Sequence, residues 1–278
     1  MLKMRLKIRL SPPMTTPPTL ANLEHLARSA GNILREGYHS AFQIDYKGTI
    51  NLVTEVDYRS ETYLLEQIHA QFPQDHIVTE ESGNQAGSNH RRWYIDPLDG
   101  TVNFAHRIPF FCVSIACEVD GELELGIVYE PLRDECFTAQ RGRGAWLNGQ
   151  PIHPASTPDL NHSLLTTGFS YDIRTNPAHA ANLNHYRYFA LRSQGVRRLG
   201  SAALDLCYVA ASRFDGYWEL AVESWDIAAG ALIAREAGAQ VSALDGSPLD
   251  VRHPQGIVCA SPHLHPQILH GLRHSADS

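Results

Sequence analysis

Two carboxylates three residues apart, split by a proline, carry the clearest chemical signal in the chain: Trp93-Tyr94-Ile95-Asp96-Pro97-Leu98-Asp99-Gly100-Thr101-Val102-Asn103-Phe104. An apolar strand delivers Asp96. Pro97 then stops ladder pairing and bends the chain, so that Asp96 and Asp99 converge on one point instead of alternating across a sheet. Carboxylates held that close repel unless a cation sits between them. An oxygen-only ligand set, with a backbone carbonyl such as that of Leu98, suits a hard ion like Mg²⁺. Asp-Pro-x-Asp-Gly is also good turn chemistry, so on these residues alone a plain type I turn accounts for the pattern equally well.

Further acids occupy comparable places. Glu80-Glu81-Ser82 ends the apolar stretch 76–79, and pairing of that stretch beside 93–95 brings Glu80 next to Asp96. Alone, Glu80 and Glu81 read as a solvated loop. Asp57 and Asp226 each open a helical pattern, where an aspartate also serves simply to cap free backbone donors. Asp57, Glu80, Asp96, Asp99 and Asp226 thus all stand at the end of an apolar strand or the head of a helix, where side chains can meet at a cleft.

The elements that must position them follow from periodicity. Leu23, Leu26, Ala30, Ile33 and Leu34 predict a helix over 20–37, and a second runs from near Asp57 to Phe72, ahead of Pro73. Strands 76–79 and 93–95 precede an antiparallel meander of 111–119, 122–129 and 135–140, with a turn at Asp120-Gly121. Beyond Pro151 and Pro154 the rhythm changes. Strands 164–167, 216–219, 239–243 and 256–260 alternate with helices 177–192, 201–213, 225–237 and 263–273, which predicts a layered α/β half. The expected organisation is a disordered tail (1–19), an α+β metal-binding domain (20–153) and an α/β substrate-specificity domain (154–278).

Composition narrows the function. Of 278 residues, 23 are Lys or Arg and 30 are Asp or Glu, a net charge of −7. Such a chain lacks the basic field that drives phosphate-backbone binding, so no nucleic-acid partner is expected. No run of eighteen apolar residues exists, and no membrane partner is expected. The ordinary composition excludes a disordered chain, a collagen and a small disulfide scaffold. Five cysteines without a CxxC pair, Cys112 and Cys117 among them as small buried hydrophobes, fit a reducing cytoplasm. The basic, proline-rich start has no apolar core of a secretory signal. An anionic substrate meeting this charge needs an offset, which a bound metal supplies.

Order, spacing and flanking sequence decide between five separate caps and one site. Leu52-Val53-Thr54-Glu55-Val56-Asp57, Glu80-Glu81-Ser82, Asp96-Pro97-Leu98-Asp99-Gly100-Thr101 and Trp225-Asp226-Ile227-Ala228-Ala229-Gly230 follow one another in a pattern that resembles the inositol monophosphatase family of Mg²⁺-dependent, lithium-sensitive phosphomonoesterases. The likeness covers about residue 20 to the C-terminus. It implies an α+β / α/β fold, a two-domain layered αβαβα sandwich of the inositol monophosphatase / sugar phosphatase type, and a homodimer. It also implies two or three Mg²⁺ per active site. Glu80, Asp96 and the Leu98 carbonyl match the ligands of a first ion, and Asp96, Asp99 and Asp226 those of a second. Asp57 and Thr101 match the pair that, with Glu80, positions and deprotonates the attacking water. Gly100 and Thr101 match backbone donors to the phosphate, and Leu98, Asp99 and Asp226 border the substrate as well. Gly200-Ser201-Ala202 and Glu219 match the substrate pocket, with Glu219 accepting hydrogen bonds from vicinal hydroxyls. Lys47 falls near a family lysine, one residue short in its spacing to Asp57.

The expected reaction is hydrolysis of a small polyol phosphate, inositol 1-phosphate first. Histidinol phosphate and then fructose 1,6-bisphosphate are alternatives, because relatives acting on them share these motifs. A catalytically silent homologue that binds a metal or a partner is the non-enzyme alternative. Gly142-Arg143-Gly144 opens no helix and reads as a hairpin turn, not a phosphate loop. The fifteen histidines show no zinc spacing. His106 alone stands close to the acidic loop.

Overall fold

The computed structural model describes residues 17–46 and 51–275. Most of the expected tail, 1–19, lies outside the described residues, as does Lys47. Helix α1 (Leu20–Tyr38) opens on a capping box in which Thr19 and Asn22 satisfy each other's backbone donors, and it buries Leu23, Leu26, Ala27, Ala30 and Leu34. An antiparallel ribbon of β1 (Ile44–Tyr46) and β2 (Leu52–Thr54) leads into α2 (Glu55–Gln71). Next come β3 (His76–Thr79), β4 (Gly83–Gln85), β5 (Arg91–Asp99), the short α3 (Thr101–Ala105), β6 (Cys112–Val119), β7 (Glu122–Glu130), β8 (Glu135–Gln140), β9 (Gly144–Leu147) and β10 (Gln150–Pro151). They form one sheet in the order β10-β9-β8-β7-β6-β5-β3-β4, antiparallel except where β3 runs parallel to β5.

The rest of the chain builds a second sheet. It supplies β11 (Leu164–Thr167), α4 (Pro177–Ala180), α5 (Asn182–Ala190), β12 (Gly195–Arg197), α6 (Ala202–Ala210), β13 (Gly216–Glu219), α7 (Ser224–Ala237), β14 (Gln240–Ser242), β15 (Ile257–Ala260) and α8 (His265–Ser275). The strand order is β12-β11-β13-β15-β14, parallel across the first three and antiparallel thereafter.

Alternating side chains of the first sheet feed two different cores. Trp93, Ile95, Val113, Ile115 and Ile127 pack against Leu23, Leu34, Val56, Leu64 and Ile68 of α1 and α2. Their neighbours Tyr94, Ala116 and Val128 face the other way, onto Leu204 and Leu206 of α6, Ile227 and Leu232 of α7, and Tyr217 and Ile257 of the second sheet. A third core joins Leu165, Trp218 and Val258 to Phe189 of α5 and Ile268 and Leu272 of α8. Five layers result, αβαβα, the fold that the motif pattern led us to expect. Helix α7 lies in the middle layer and is buried nearly all round, so it carries small residues where its neighbours approach: a side chain at Gly126 of β7 would stand 3.1 Å from the Ala229 carbonyl, and one at Gly230 would meet Leu206.

The fold differs from the sequence expectation in three places. Strand β5 does not end at Ile95. Its pairing with β6 breaks after Asp96, across Pro97 and Leu98, and resumes at Asp99 opposite Cys112. The helix expected over 177–192 is two helices that part at Ala181, and the buried side-chain amide of Asn182 at the head of the second is held by tertiary partners: it donates to Thr167 and to the Gly168 carbonyl and accepts from the Trp218 indole. Strand β12 has only three residues, too few for a period-two signal. The Gly142-Arg143-Gly144 segment is a hairpin turn between β8 and β9, its backbone donors held by Glu236. All five cysteines are free and buried.

Because the α7 backbone leaves no room beside it, Gly126→Val is expected to cost about 1–3 kcal/mol by overpacking. A lower urea midpoint for the variant than for the wild type checks this; an unchanged midpoint contradicts the packing described.

Candidate active site

The carboxylates meet where the two sheets and the middle helices come together. Parallel pairing of β3 with β5 places Thr79 opposite Ile95, so Glu80 follows beside Asp96. Asp96 folds back on its own chain and accepts the Leu98 N–H at 2.9 Å, while the Ser60 hydroxyl bonds the Pro97 carbonyl. The interrupted ladder thereby becomes a fixed corner. Gly100, at φ 95°, turns the chain into α3 with the Phe110 carbonyl 3.0 Å from where a Cβ would stand, a place that suits only glycine.

Asp57 and Asp226 share one local device. Each is the third residue of its helix and accepts the backbone N–H of the residue three before it: Thr54 for Asp57 at 2.9 Å and Glu223 for Asp226 at 2.7 Å. Both therefore cap a helix from inside the first turn instead of preceding it. In Asp57 this engages Oδ2 and leaves Oδ1 to accept the Thr101 hydroxyl at 3.1 Å. That hydroxyl also lies 3.0 Å from the Leu98 carbonyl. Asp99 is anchored from the far side by Ser201 Oγ (2.6 Å) and the Ala203 N–H (2.8 Å) at the head of α6.

One cavity gathers these groups. Its wall includes Glu80, Asp96, Leu98, Asp99, Gly100, Thr101, Gly200, Ser201, Ala202, Glu219 and Asp226, so eleven of the twelve site residues expected from the sequence line it. The twelfth, Asp57, is fully buried behind Thr101. A wider cavity of about 540 Å³ adjoins it and shares Glu80, Tyr171, Glu219 and Asp226. His106 stands exposed at the end of α3, away from this wall.

Six contributors were not among the expected site residues. Gly168, Phe169, Tyr171, Arg198 and Asp205 line the cavity too. Tyr217 donates its hydroxyl to Glu219 Oε2 at 2.6 Å, and Gly168 leaves room for the Glu219 carboxylate, which a Cβ there would overlap. A lone charge inside the apolar run Ala202-Ala203-Leu204-Asp205-Leu206 was the available signal for Asp205. No local pattern marks the others.

Burial and mutual repulsion act on the acids in the same direction. Burial first, then the charges of Glu80, Asp99 and Asp226, holds Asp96 well above the usual carboxylate range. Burial likewise raises Asp226, with Asp99, Glu80 and Glu219 adding to it. Asp99 and Asp57 are both pushed by burial to about 6 despite the donors they hold. Burial pushes Glu219 to about 7 against the pull of Tyr217 and Arg198. Among the described residues no three His, Cys, Asp or Glu side chains form a ready-made metal cage; Asp96, Asp99 and Asp226 each bond a backbone donor. The donor chemistry still fits a hard divalent ion, since four carboxylates and a carbonyl offer oxygen alone and their repulsion is what such an ion relieves.

The layered αβαβα fold, with acids gathered at the heads of α3, α6 and α7, is shared with known proteins. The inositol monophosphatase family pattern matches residues 18–276. The protein called Nus factor SuhB from Pasteurella multocida is 44% identical over 253 residues, 89% of this chain and 92% of its own. The inositol-1-monophosphatase of Synechocystis sp. is 48% identical over 213 residues, 75% of this chain and 73% of its own. The solved inositol monophosphatase of Anabaena (Nostoc) sp. superposes with a TM-score of 0.83 at 38% identity, covering 92% of this chain and 95% of that one. The chain belongs to the inositol monophosphatase family.

The raised acids set a pH dependence. A carboxyl whose folded pKa exceeds its unfolded one, about 4, keeps its proton only in the fold. Its contribution is therefore favourable at low pH and is lost as pH rises through the folded value, about 6 for Asp57 and Asp99 and about 7 for Glu219. The buried, downshifted His185 and His265 oppose this on acidification, so the informative quantity is a difference. The rise in Tm on adding Mg²⁺ is expected to be larger at pH 7.5 than at pH 5.5, because a divalent ion among these acids would compete with their protons. An equal rise at both pH values contradicts the assignment.

Proposed function

We propose that this chain is a Mg²⁺-dependent phosphomonoesterase acting on a small polyol phosphate, with inositol 1-phosphate as its substrate. The observation that carries the reading is the gathering of Glu80, Asp96, Asp99 and Asp226 in one cavity beside the Thr101–Asp57 hydrogen bond. The Synechocystis relative, named for that activity, supports the substrate.

In this reading Glu80, Asp96 and the Leu98 carbonyl hold one ion, and Asp96, Asp99 and Asp226 hold another. When bound, the ions supply positive charge to the phosphate oxygens and acidify water. The protein's own groups orient the chemistry. The Thr101 hydroxyl, tied to Asp57 Oδ1, fixes the direction from which water approaches phosphorus. Asp57 then takes a proton through Thr101, and a buried carboxyl near 6 is well matched to that at neutral pH. The backbone at Gly100 and Thr101 receives the phosphate, and Gly200, Ser201, Ala202 and Glu219 border the polyol. The adjoining 540 Å³ cavity gives the leaving alcohol room. Residues 20–153 then act as the metal-binding domain and 154–278 as the specificity domain, with α7 lending Asp226 across the division. Among the described residues no helix is long and apolar enough to cross a membrane, and we place the protein in the cytoplasm, as a lithium-sensitive homodimer.

Relatives called Nus factor SuhB, 42–44% identical, support a second reading, a homologue whose role is to bind a partner. Phosphate release with Mg²⁺ from inositol 1-phosphate, histidinol phosphate, fructose 1,6-bisphosphate and 3′-phosphoadenosine 5′-phosphate separates the two. Inositol 1-phosphate is expected to be the best ester. EDTA should abolish release, and Asp226→Asn should reduce it at least about a hundredfold. A folded protein that cleaves none of the four would favour the partner-binding reading.

A further inference from the structure

Asp205 is the single charge in α6, flanked by Ala203, Leu204, Leu206 and Cys207, all fully buried. It is 1% exposed, yet it forms part of the cavity wall together with Glu219 and Arg198. The Thr166 hydroxyl lies beside the carboxylate, but Oδ1 is buried and, among the described residues, has no hydrogen-bond partner. It caps nothing, since Ser201 holds the free N–H of Leu204 at the head of α6. A buried acceptor left unpaired weakens a fold, and leucine or asparagine would fit this helix better. An orphan of this kind calls for an explanation, and its place in a ligand cavity supplies one.

The cavity's chemistry narrows the ligand. Tyr217 occupies Glu219 Oε2, so Glu219 Oε1 and Asp205 Oδ1 are two acceptors in one wall. They require donors, either the hydroxyls of an alcohol or an ammonium group. Arg198 on the same wall acts electrostatically on both acids, and a second cation beside it is disfavoured. A neutral polyol meets no such penalty. We propose that Asp205 is a specificity-determining residue that, with Glu219, accepts hydrogen bonds from hydroxyls of the polyol part of the substrate. The inference takes its ligand from the phosphomonoesterase reading above, but it is tested without turnover.

The test titrates wild type and Asp205→Asn with myo-inositol and with cyclohexanol, the same ring bearing one hydroxyl, and compares the melting of the ligand-free proteins. The variant is expected to bind myo-inositol about tenfold more weakly, the loss of one hydrogen bond. Its cyclohexanol affinity should be unchanged and its ligand-free Tm higher than that of the wild type. A lower Tm or failure to fold makes Asp205 structural and overturns the proposal, as does unchanged myo-inositol affinity or no myo-inositol binding by the wild type. Parallel phosphate-release assays keep the two readings apart. Inositol binding lost in the variant while the wild type releases no phosphate sinks only the phosphatase reading; phosphate release with inositol affinity intact in the variant sinks only this one.

Discussion

Mutual repulsion of buried carboxylates around one cavity is the constraint that the rest of this fold must answer. Glu80, Asp96, Asp99, Asp226, Glu219 and Asp205 share one wall, and each charge makes the next harder to ionise. Left to relax, such side chains would turn outward to solvent. The fold prevents this by tying three of them to the backbone: Asp96 to Leu98, Asp99 to Ala203, Asp226 to Glu223. These bonds stabilise the ionised form against burial only in part, which is why Asp99 still settles near 6.

The same economy of attachment explains why helix heads dominate the site. An aspartate at the third position of a helix satisfies a free N–H with one oxygen and presents the other forward. Asp57 and Asp226 use it from α2 and α7, on opposite sides of the large sheet. For Asp226 to line the cavity that Asp57 backs through Thr101, α7 must run flat against that sheet, and Gly126 and Gly230 permit the approach. The small-residue run Ala228-Ala229-Gly230-Ala231 is therefore as much part of the site as the acids are, although it touches no substrate in the proposed reaction.

Much of this was legible in the sequence because it rests on local pattern. The meander, the two opening helices and the acids at element boundaries follow from periodicity and from residues such as Pro97 and Pro73. Convergence of Glu80 on Asp96 followed from assuming that 76–79 and 93–95 pair, which β3 and β5 do. What escaped depends on contacts between distant segments. Asn182 at the head of α5 is held by Thr167, Gly168 and Trp218 through its side-chain amide, and nothing near 182 announces that. Gly168 makes room for Glu219 from the loop after β11 and Tyr217 bonds it from two residues earlier on the same strand, and each is an ordinary residue in its own segment. Helix capping was anticipated for Asp57 and Asp226, but the position was not. Standing three residues deeper than a preceding cap leaves the second oxygen of Asp57 free to accept the Thr101 hydroxyl and lets Asp226 face the cavity.

Three apolar cores make a site of this kind tolerable. Each layer boundary buries large side chains completely, Trp93 and Phe72 in one core, Tyr94 and Tyr217 in the next, Trp218 and Phe189 in the third, at roughly 1.5–3 kcal/mol apiece. Against that background a few unfavourable carboxylates lower stability without unfolding the chain. Their cost is also conditional. A cation among Glu80, Asp96, Asp99 and Asp226 and a donor-rich ligand at Glu219 and Asp205 would each relieve part of it, and what they relieve reappears as affinity. Strain of this sort can be released only where the ligand supplies the missing charge or donor. The acids that weaken the empty fold are then the ones that select what fills it.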